Sequence, residues 1–351
     1  MDAHVVVGTD RFAEDLAALT DDLGFRVDVI VPADSPTSAV VSGHGLRLRL
    51  EATSAPSPVT IRLITDEPGE PTGLPGGSTI ERCAATTTFH LPDNVPALVV
   101  THNDHDSGVG RAGMRYRDLI PDRWGGRFVA SHITIPDGGP VPDYVHFHKI
   151  RFQMIFVKAG WVELVYEDQG EPFVMQTGDC VLQPPEIRHR VLVSSPGLEV
   201  IEIGCPAEHE TIADWSTELP TATIDRDRNF GGQRFVRHVA AGAEYRPWRI
   251  AGWVHRDTGI GDATDGLAGV RVARPTGSAS TDWVAHDSEF AQLVVLGGSV
   301  DFEVAGQAPA RLADGDSVAI PGGLRYRLVG ASDDCELLDV TLPAVVLPAG
   351  T

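Results

Sequence analysis

The sequence predicts a mainly β protein with two tandem β-barrels behind a small α+β module. Glycine (37 residues) and proline (25) separate many short runs rich in Val, Ile and Leu, a spacing typical of all-β sandwiches or barrels. Strand-like blocks recur in the same order in the second half of the chain. The first 65 residues follow a different pattern, with the order β-α-β-β-β.

The N-terminal module, residues 1–65, begins with a strand and a predicted helix. Asp10 is the expected N-cap, apolar residues recur every three or four positions from Phe12 to Leu23, and Gly24 ends the helix. The expected strands that follow are 27–31, 38–41, 46–50 and 59–64. Residues 66–109 contain EPGEPTGLPGGS and THNDHDSG and are predicted to be a linker.

The remaining chain contains an internal repeat, which predicts barrels at 110–218 and 219–351. WGGRFVASH (124–132) resembles FGGQRFVRH (230–238), which leaves about 30 extra residues in the second copy, including the loop RDTGIGDATDG. The other blocks match at an offset of 137 or 138. They pair 148–152 with 286–290, 156–164 with 294–302, 177–193 with 314–330, and 200–206 with 337–343.

Composition restricts the partners. The 351-residue chain has a net charge of −21, which argues against nucleic acid or an anionic membrane as a partner. No apolar run approaches the ~18 residues of a membrane span, and the N-terminus shows no secretory pattern. Four cysteines without CxxC spacing predict free thiols and a cytoplasmic protein.

Three histidines have the spacing of metal ligands. His146 and His148 are two residues apart on a predicted strand, so both imidazoles lie on one face. Gln153 can join that face only if the chain turns and starts a new strand between them. His189 follows a proline-rich turn. Three imidazoles suit Fe, Mn, Co, Ni, Cu or Zn rather than Mg or Ca.

The residues around the first two histidines resemble the first motif of the cupin superfamily. That motif is Gly, five residues, His-x-His, three or four residues, Glu, six residues, Gly. The chain has His146, His148, Gln153 and Gly160 at these spacings, with Gln in place of Glu and Pro140 in place of the opening glycine.

The region around His189 resembles the second cupin motif, which is Gly, five residues, Pro-x-Gly, two residues, His, three residues, Asn. Here Gly178, Pro184 and His189 match, while Glu186 replaces Gly and Val193 replaces Asn. With two copies, the resemblance implies a bicupin of two jelly-roll barrels. It implies one divalent transition metal, held by His146, His148 and His189, with Gln153 as a ligand or as a residue behind the ligands.

A set of neutral ligands has a chemical consequence. The ion keeps its full formal charge, so the expected substrate is a small anionic chelator such as an enolate, a phenolate or a hydroxy or keto acid. The predicted catalytic residues are Gln153, Arg188 and Glu186. Further candidates are Arg127 and Arg151, which could bind a substrate carboxylate as Arg188 could, and Tyr166 for acid–base work.

The second copy lacks the ligand set. The residues aligned with His146, His148, Gln153 and His189 are Val284, His286, Ala291 and Tyr326, with Gln292 close by. One histidine does not hold a transition metal tightly. The second barrel is therefore expected to pack against the first and to cover its open edges.

Two other segments carry weaker signals. The N-terminal module resembles half of a glyoxalase (vicinal oxygen chelate) domain, with only His4 and Glu51 near that family's ligand positions; packing or dimerisation is the simpler role. The polar segment THNDHD at 101–106 is interpreted as a solvated loop rather than a ligand set.

The resemblance to three-His cupin dioxygenases favours an oxygenase with Fe(II), O₂ as second substrate, and an enolic, phenolic or hydroxy/keto-acid compound that chelates the metal. Two alternatives stay open. One is a redox-neutral isomerase, cyclase or lyase that uses the ion as a Lewis acid. The other is a binding protein without turnover. A homo-oligomer, such as a homodimer, is expected in each case.

Overall fold

A computed structural model describes residues 4–32, 36–83, 89–103, 108–109, 114–277 and 281–346. The chain divides into two compact units, Met1–Thr87 and Thr88–Thr351. Strands dominate both units, which confirms the predicted mainly β class. In the described ranges, no helix combines the length and the apolar character that a membrane span requires.

The first unit contains two small sheets around one apolar core. One sheet has the order β1-β4-β3-β2, in which β1 and β4 are parallel, and the other has the order β5-β7-β6. The core includes Phe12, Leu19, Val41, Leu50 and Ile80. The strands are β1 Val5–Thr9, β2 Arg26–Val31, β3 Ser38–Gly43, β4 Leu46–Ala52, β5 Thr60–Ile64, β6 Gly69–Gly73 and β7 Thr79–Cys83.

The helix of this unit differs from the prediction. Helix α1 spans Phe12–Ala17 and continues as a π-helical turn, Ala18–Asp22. The predicted cap at Asp10 is wrong, because Arg11 occupies the N-cap position and no side chain caps the helix. The buried carboxylate of Asp15 instead accepts a hydrogen bond from the Gly76 amide (2.9 Å), which ties the helix to the loop between β6 and β7.

The predicted linker at 66–109 is also corrected, because strands form within it. Strands β6 and β7 belong to the first unit, and Ile80 lies in its core with no exposure. Two further strands, β8 Val99–Thr101 and β9 Gly108–Val109, belong to the second unit. The Pro/Gly-rich segment EPGEPTGLPGGS supplies a strand and a turn of a small sheet, which its composition alone does not indicate.

The second unit holds two barrels, each with a large and a small sheet. In the first barrel the large sheet has the order β23-β17-β14-β19-β11-β10-β9, and the small sheet has the order β16-β15-β18-β13-β20, with β12 paired to β18. Its strands are β10 Arg115–Asp118, β11 Val129–Ile135, β12 Gly139–Pro140, β13 His146–His148, β14 Phe152–Ala159, β15 Trp161–Tyr166, β16 Phe173–Gln176, β17 Cys180–Leu182, β18 His189–Ser194, β19 Leu198–Cys205 and β20 Thr211–Ala213.

The second barrel repeats this plan. Its large sheet has the order β24-β25-β26-β32-β27-β30-β8 and its small sheet the order β29-β28-β31, while β21 and β22 form a separate hairpin. Helical turns α2 Arg123–Gly126 and α3 Ile260–Ala263 lie at equivalent places in the two copies. The strands are β21 Asn229–Phe230, β22 Gln233–Arg234, β23 Val236–His238, β24 Arg246–Pro247, β25 Trp253–Asp257, β26 Gly269–Pro275, β27 Phe290–Gly297, β28 Ser299–Val304, β29 Ala310–Ala313, β30 Ser317–Ala319, β31 Tyr326–Val329 and β32 Glu336–Leu342.

The two barrels exchange strands. Strand β8 precedes the first barrel in the chain but pairs with β30 of the second barrel, and β23 pairs with β17 of the first barrel. The two pairings have equivalent registers, Thr101 opposite Ser317 and His238 opposite Cys180. Each large sheet thus ends in a strand from the other repeat, which covers a backbone edge that is otherwise open.

A pair of equivalent arginines reinforces this exchange. The Arg117 guanidinium donates to the Gly315 carbonyl (2.7 Å), and the Arg256 guanidinium donates to the Gly178 carbonyl (3.0 Å). Between the barrels, the rings of Phe128 and Phe290 stack with centroids 4.2 Å apart. The barrels therefore share one hydrophobic core, and the second barrel packs against the first as predicted.

The strand pairing corrects one part of the repeat alignment. Strand β11 pairs with β19 and β26 pairs with β32, so β26, rather than FVRH, is the equivalent of β11. The FVRH segment forms β23, the equivalent of β8. The second copy therefore has no 30-residue insertion, and RDTGIGDATDG corresponds to RDLIPDRWGG in the first copy. The similarity between WGGRFVASH (124–132) and FGGQRFVRH (230–238) is therefore not a match between equivalent strands, and it does not share the offset of 137 or 138 of the other blocks.

Replacing one bridging arginine should destabilise the unit. We expect Arg256→Met to lower the free energy of unfolding by about 2 kcal/mol, because it removes charge-assisted hydrogen bonds from a buried site. Thermal unfolding followed by circular dichroism measures this as a fall of roughly 5 °C. The exposed Arg234 on β22 is the matched control, and Arg234→Met should leave the midpoint nearly unchanged. An equal fall in both variants would contradict the bridging role.

Candidate metal centre

The structure brings together the three histidines that the sequence predicts as ligands. His146 and His148 lie on β13, and His189 begins β18, with His146 directly opposite His189 in the register. One potential ligand atom from each ring lies within 4.8 Å of the others. In the described part of the chain this is the one cluster of His, Cys, Asp or Glu residues that could hold a metal ion.

Oxygen atoms of the protein orient all three rings. Nδ1 of His146 lies 2.8 Å from the Tyr144 carbonyl, and Nδ1 of His189 lies 3.0 Å from the Ile187 carbonyl. Nδ1 of His148 lies 2.9 Å from the Thr211 hydroxyl. A carbonyl oxygen only accepts, so the contacts of His146 and His189 place the proton on Nδ1 and leave Nε2 as the ligand atom. His148 presents Nε2 in the same way when the Thr211 hydroxyl accepts from its Nδ1.

Gln153 reaches the same cavity from the opposite sheet. The chain leaves β13 after His148 and starts β14 at Phe152, which supplies the new strand that the odd spacing requires. Gln153 is 2% exposed, and its Nε2 donates to Oε1 of Glu202 on β19 at 2.6 Å. Its carbonyl oxygen is buried without a hydrogen-bond partner among the described groups. An orphaned amide oxygen in this cavity fits a role as a fourth ligand.

Glu202 was not among the residues predicted from the sequence. A signal for it was present in LEVIEIGC, where residues two apart share a face of the strand. Leu198, Val200 and Glu202 all line the cavity, whereas Ile201 and Ile203 lie in the core shared by the barrels. A carboxylate within an inward-facing apolar stripe is a candidate functional residue.

The cavity beside the histidines has a volume of about 470 Å³ and mostly apolar walls. None of the described residues that line it is Arg or Lys. The apolar lining consists of Met114, Tyr116, Ile133, Ile135, Ile155, Val162, Leu164, Val191, Leu198 and Val200, and the polar lining consists of Asp143, Gln153, Tyr166, Gln183, Glu202, His209, Thr211 and the three histidines. This cavity suits a small, largely apolar ligand.

Tyr166, which the sequence proposed for acid–base work, lies in the cavity wall. It has no exposure, and its ring stacks on His189 with centroids 5.4 Å apart. Its hydroxyl has no hydrogen-bond partner among the described groups. Burial raises the pKa of Tyr166 far above its ordinary value, so the side chain carries its proton at neutral pH.

Arg188 and Glu186, the other two predicted catalytic residues, are not among the residues that line the cavity. Arg188 forms ion pairs with Asp214 (2.6 Å) and Glu167 (3.4 Å), and its hydrogen bond to Asp214 raises the pKa of the guanidinium. Glu186 is exposed and has a φ of 61°. Glycine adopts this left-handed conformation more readily than glutamate does.

The other two candidate arginines bind a carboxylate of the protein itself. Arg127 and Arg151 both form ion pairs with Glu289 of the second barrel. Neither lines the cavity. The sequence did not distinguish these two roles, because an arginine binds a carboxylate of the protein as readily as a carboxylate of a substrate.

In the second barrel a guanidinium binds the two residues that are equivalent to Glu202 and His189. Asp339, at the position equivalent to Glu202, is fully buried and binds Arg249 at 2.9 Å. Arg249 also donates to the hydroxyl of Tyr326 at 2.7 Å, and Tyr326 takes the place of His189. Burial, followed by the charge of Arg249, lowers the pKa of His286 to about 4. This arrangement agrees with the expectation that the second barrel lacks a metal-ligand set.

The weaker sequence candidates that the structure describes do not belong to the group of possible metal ligands. In the first unit, His4 is exposed and Glu51 forms an ion pair with Arg49 (2.7 Å). In the segment THNDHD, Nδ1 of His102 lies 3.0 Å from Asp316 of the second barrel, so this histidine takes part in the contact between barrels. Residues 104–106 of the segment lie outside the described residues.

Substitutions of histidine separate the two barrels. We expect His146→Ala and His189→Ala each to weaken Co(II) binding more than about 100-fold, because each removes a ligand. His286→Ala and Glu186→Gln should bind Co(II) as the wild type does. Competition titration against a chelator measures the four affinities. Equal loss in His286→Ala would contradict a single site in the first barrel.

The buried histidine of the second barrel predicts a pH dependence. His286 has a pKa of about 4 in the folded chain, below its ordinary value of 6.5, so the unfolded chain takes up the proton first. Stability from this residue is complete above pH 6.5 and is lost as pH falls towards 4. In thermal unfolding across this range, His286→Gln should show a weaker dependence on pH than the wild type. The exposed His90 is the control, since His90→Gln should keep the full dependence.

Comparison with known proteins supports the fold. The sequence matches no protein-family model and no curated protein. Ylba from E. coli is similar in structure, with a TM-score of 0.52 and 9% identity over 74% of this chain and 96% of that chain. A variant of oxalate decarboxylase OxdC from Bacillus subtilis has a TM-score of 0.53 and 12% identity over 76% and 81%.

Salicylate 1,2-dioxygenase from Pseudaminobacter salicylatoxidans is similar as well, with a TM-score of 0.52 and 15% identity over 74% of this chain and 91% of that chain. Identities this low show a common fold and nothing further. The fold is the cupin-type jelly roll that the repeated motifs predict.

Proposed function

We propose that the chain is a metal-dependent cupin oxygenase with one working site, in the first barrel. The observation that carries this proposal is the convergence of three oriented imidazoles on one side of an apolar cavity. A divalent transition metal, Fe(II) in this proposal, supplies redox chemistry with O₂ and a Lewis-acid centre for a chelating substrate.

The residues of the site fit such an ion. His146, His148 and His189 would hold it through Nε2, and Gln153 would add its carbonyl oxygen. All four donors are neutral, so they leave the charge of the ion uncompensated. The site therefore favours a substrate that brings its own negative charge as an enolate or phenolate.

The cavity lining narrows the substrate class. A substrate carboxylate is usually held by Arg or Lys, and the described lining contains neither. The salicylate dioxygenase relative has been solved with gentisate, which carries a carboxylate. For this chain we favour an enol or phenol with an apolar body, such as a β-diketone or a flavonol, over a hydroxy or keto acid. The apolar walls of the cavity suit such a body, and Tyr166 offers an O–H donor to a substrate oxygen.

A redox-neutral isomerase, cyclase or lyase is the second candidate. Glu202 and Tyr166 both face the cavity, which provides a carboxylate and a phenol for proton transfer beside a Lewis acid. The same fold in oxalate decarboxylase is compatible with chemistry other than oxygenation.

Oxygen uptake distinguishes the two candidates. We expect Fe(II)-loaded protein to consume O₂ with 2,4-pentanedione, a flavonol or a catechol, and not with gentisate. His189→Ala should lower the rate more than about 100-fold, because the ion is lost. An oxygen electrode measures both. Conversion of these compounds by the Zn(II)-loaded protein under nitrogen, without uptake by the Fe(II) form, would contradict the oxygenase and favour the redox-neutral enzyme.

A further inference from the structure

The pair formed by Gln153 and Glu202 has a function beyond packing. We propose that Glu202 is a positioning residue, which holds the Gln153 amide so that its carbonyl oxygen, rather than its NH₂ group, is presented to the metal. This inference rests on the proposed metal site. In this inference Glu202 does not bind the ion itself but orients Gln153, which does.

The physical basis of this role is that the two ends of the Gln153 side-chain amide are chemically different. A glutamine side chain ends in an acceptor and a donor of nearly equal size, and a rotation of 180° exchanges them. Only the oxygen is a useful metal ligand. An ionised carboxylate accepts hydrogen bonds and does not donate them, so an amide that faces Glu202 must turn its NH₂ group towards it. The oxygen then points away from Glu202.

The observed contacts agree with this orientation. Nε2 of Gln153 lies 2.6 Å from Oε1 of Glu202, a short charge-assisted hydrogen bond. Gln153 is nearly fully buried, and its oxygen has no hydrogen-bond partner among the described groups. The carboxylate of Glu202 does not belong to the group of ligand atoms around the three histidines. Glu202 is therefore placed to orient a ligand rather than to be one.

Strand geometry keeps the pair in place. Gln153 lies on β14 and Glu202 on the neighbouring strand β19, where the register sets Gln153 opposite Gly204 and Glu202 opposite Ile155. The two side chains are diagonal neighbours on one face of the sheet, a separation that long side chains span. The central position of β19, between β14 and β11, makes this backbone frame rigid.

The second barrel shows what the same carboxylate position does without an amide. There Ala291 replaces Gln153, and Asp339, the equivalent of Glu202, binds the Arg249 guanidinium instead. The buried carboxylate of Asp339 needs a partner, because isolation in a protein interior is costly. Glu202 is half-buried and accepts a hydrogen bond from an amide, whereas Asp339 binds a cation.

Exchange of the two functional groups tests this role. In Glu202→Gln either end of either amide can face the other, so we expect Co(II) affinity to fall about 10-fold. Gln153→Glu sets two carboxylates against each other and should weaken binding at least as much. The double variant Gln153→Glu/Glu202→Gln restores one acceptor and one donor, with a carboxylate oxygen facing the ion, and should bind Co(II) at least as tightly as the wild type.

The readouts are Co(II) affinity from chelator competition and the visible absorption of the bound ion, which reports coordination number. Glu163→Gln, the same substitution on β15 outside the cavity, is the matched control and should match the wild type. The double variant keeps the charge and size of the pair, so it tests the proposal even if a single variant fails to fold.

Two failures are distinguishable. If the wild type binds no Co(II), the metal site is wrong and this inference is wrong with it. If the wild type binds Co(II) and Glu202→Gln, Gln153→Glu and the double variant all bind it equally well, the metal site stands and the positioning role is overturned. A double variant that is folded but does not recover affinity also overturns it.

Discussion

Reciprocal strand exchange between the two barrels is the constraint on which the rest of the second unit depends. A single barrel of this kind leaves a backbone edge beside β17 or β30, and each edge is covered by a strand from the other repeat. The equivalent arginines and the shared aromatic core add directional and apolar contacts to the same interface. The second repeat thus completes the large sheet of the first barrel, but it contributes no residue to the described lining of the cavity.

The two barrels use one set of inward positions in two ways. In the first, three imidazoles and an amide face a cavity, and a carboxylate lies behind the amide. In the second, Arg249 supplies a permanent positive charge, and Asp339 and Tyr326 bind it. Removing either partner of this buried pair would cost about 3–5 kcal/mol, because it would leave an uncompensated charge in the barrel. The second barrel thus has a charged interior without the ligand set.

The sequence was most informative where chemistry depends on local spacing. The three histidines and the break before Gln153 follow from the two-residue period of a strand, and the structure brings these residues to one cavity. Contacts between distant residues were not predictable in the same way. An arginine pairs with any nearby carboxylate, so nothing local distinguished Arg188, which binds Asp214, from a substrate-binding residue. The strand exchange was hidden because β8 and β23 are three residues long and precede their repeats.

Metal content tests the central claim most directly. The protein would be purified without air, chelators or nickel resin, and its metals measured by elemental analysis. The account predicts about one first-row transition ion per chain, with iron favouring the oxygenase. Zinc would favour the redox-neutral alternative, with allowance for its tighter binding to nitrogen ligands than Fe(II). A folded chain without a transition metal, and unable to take one up, would contradict the account.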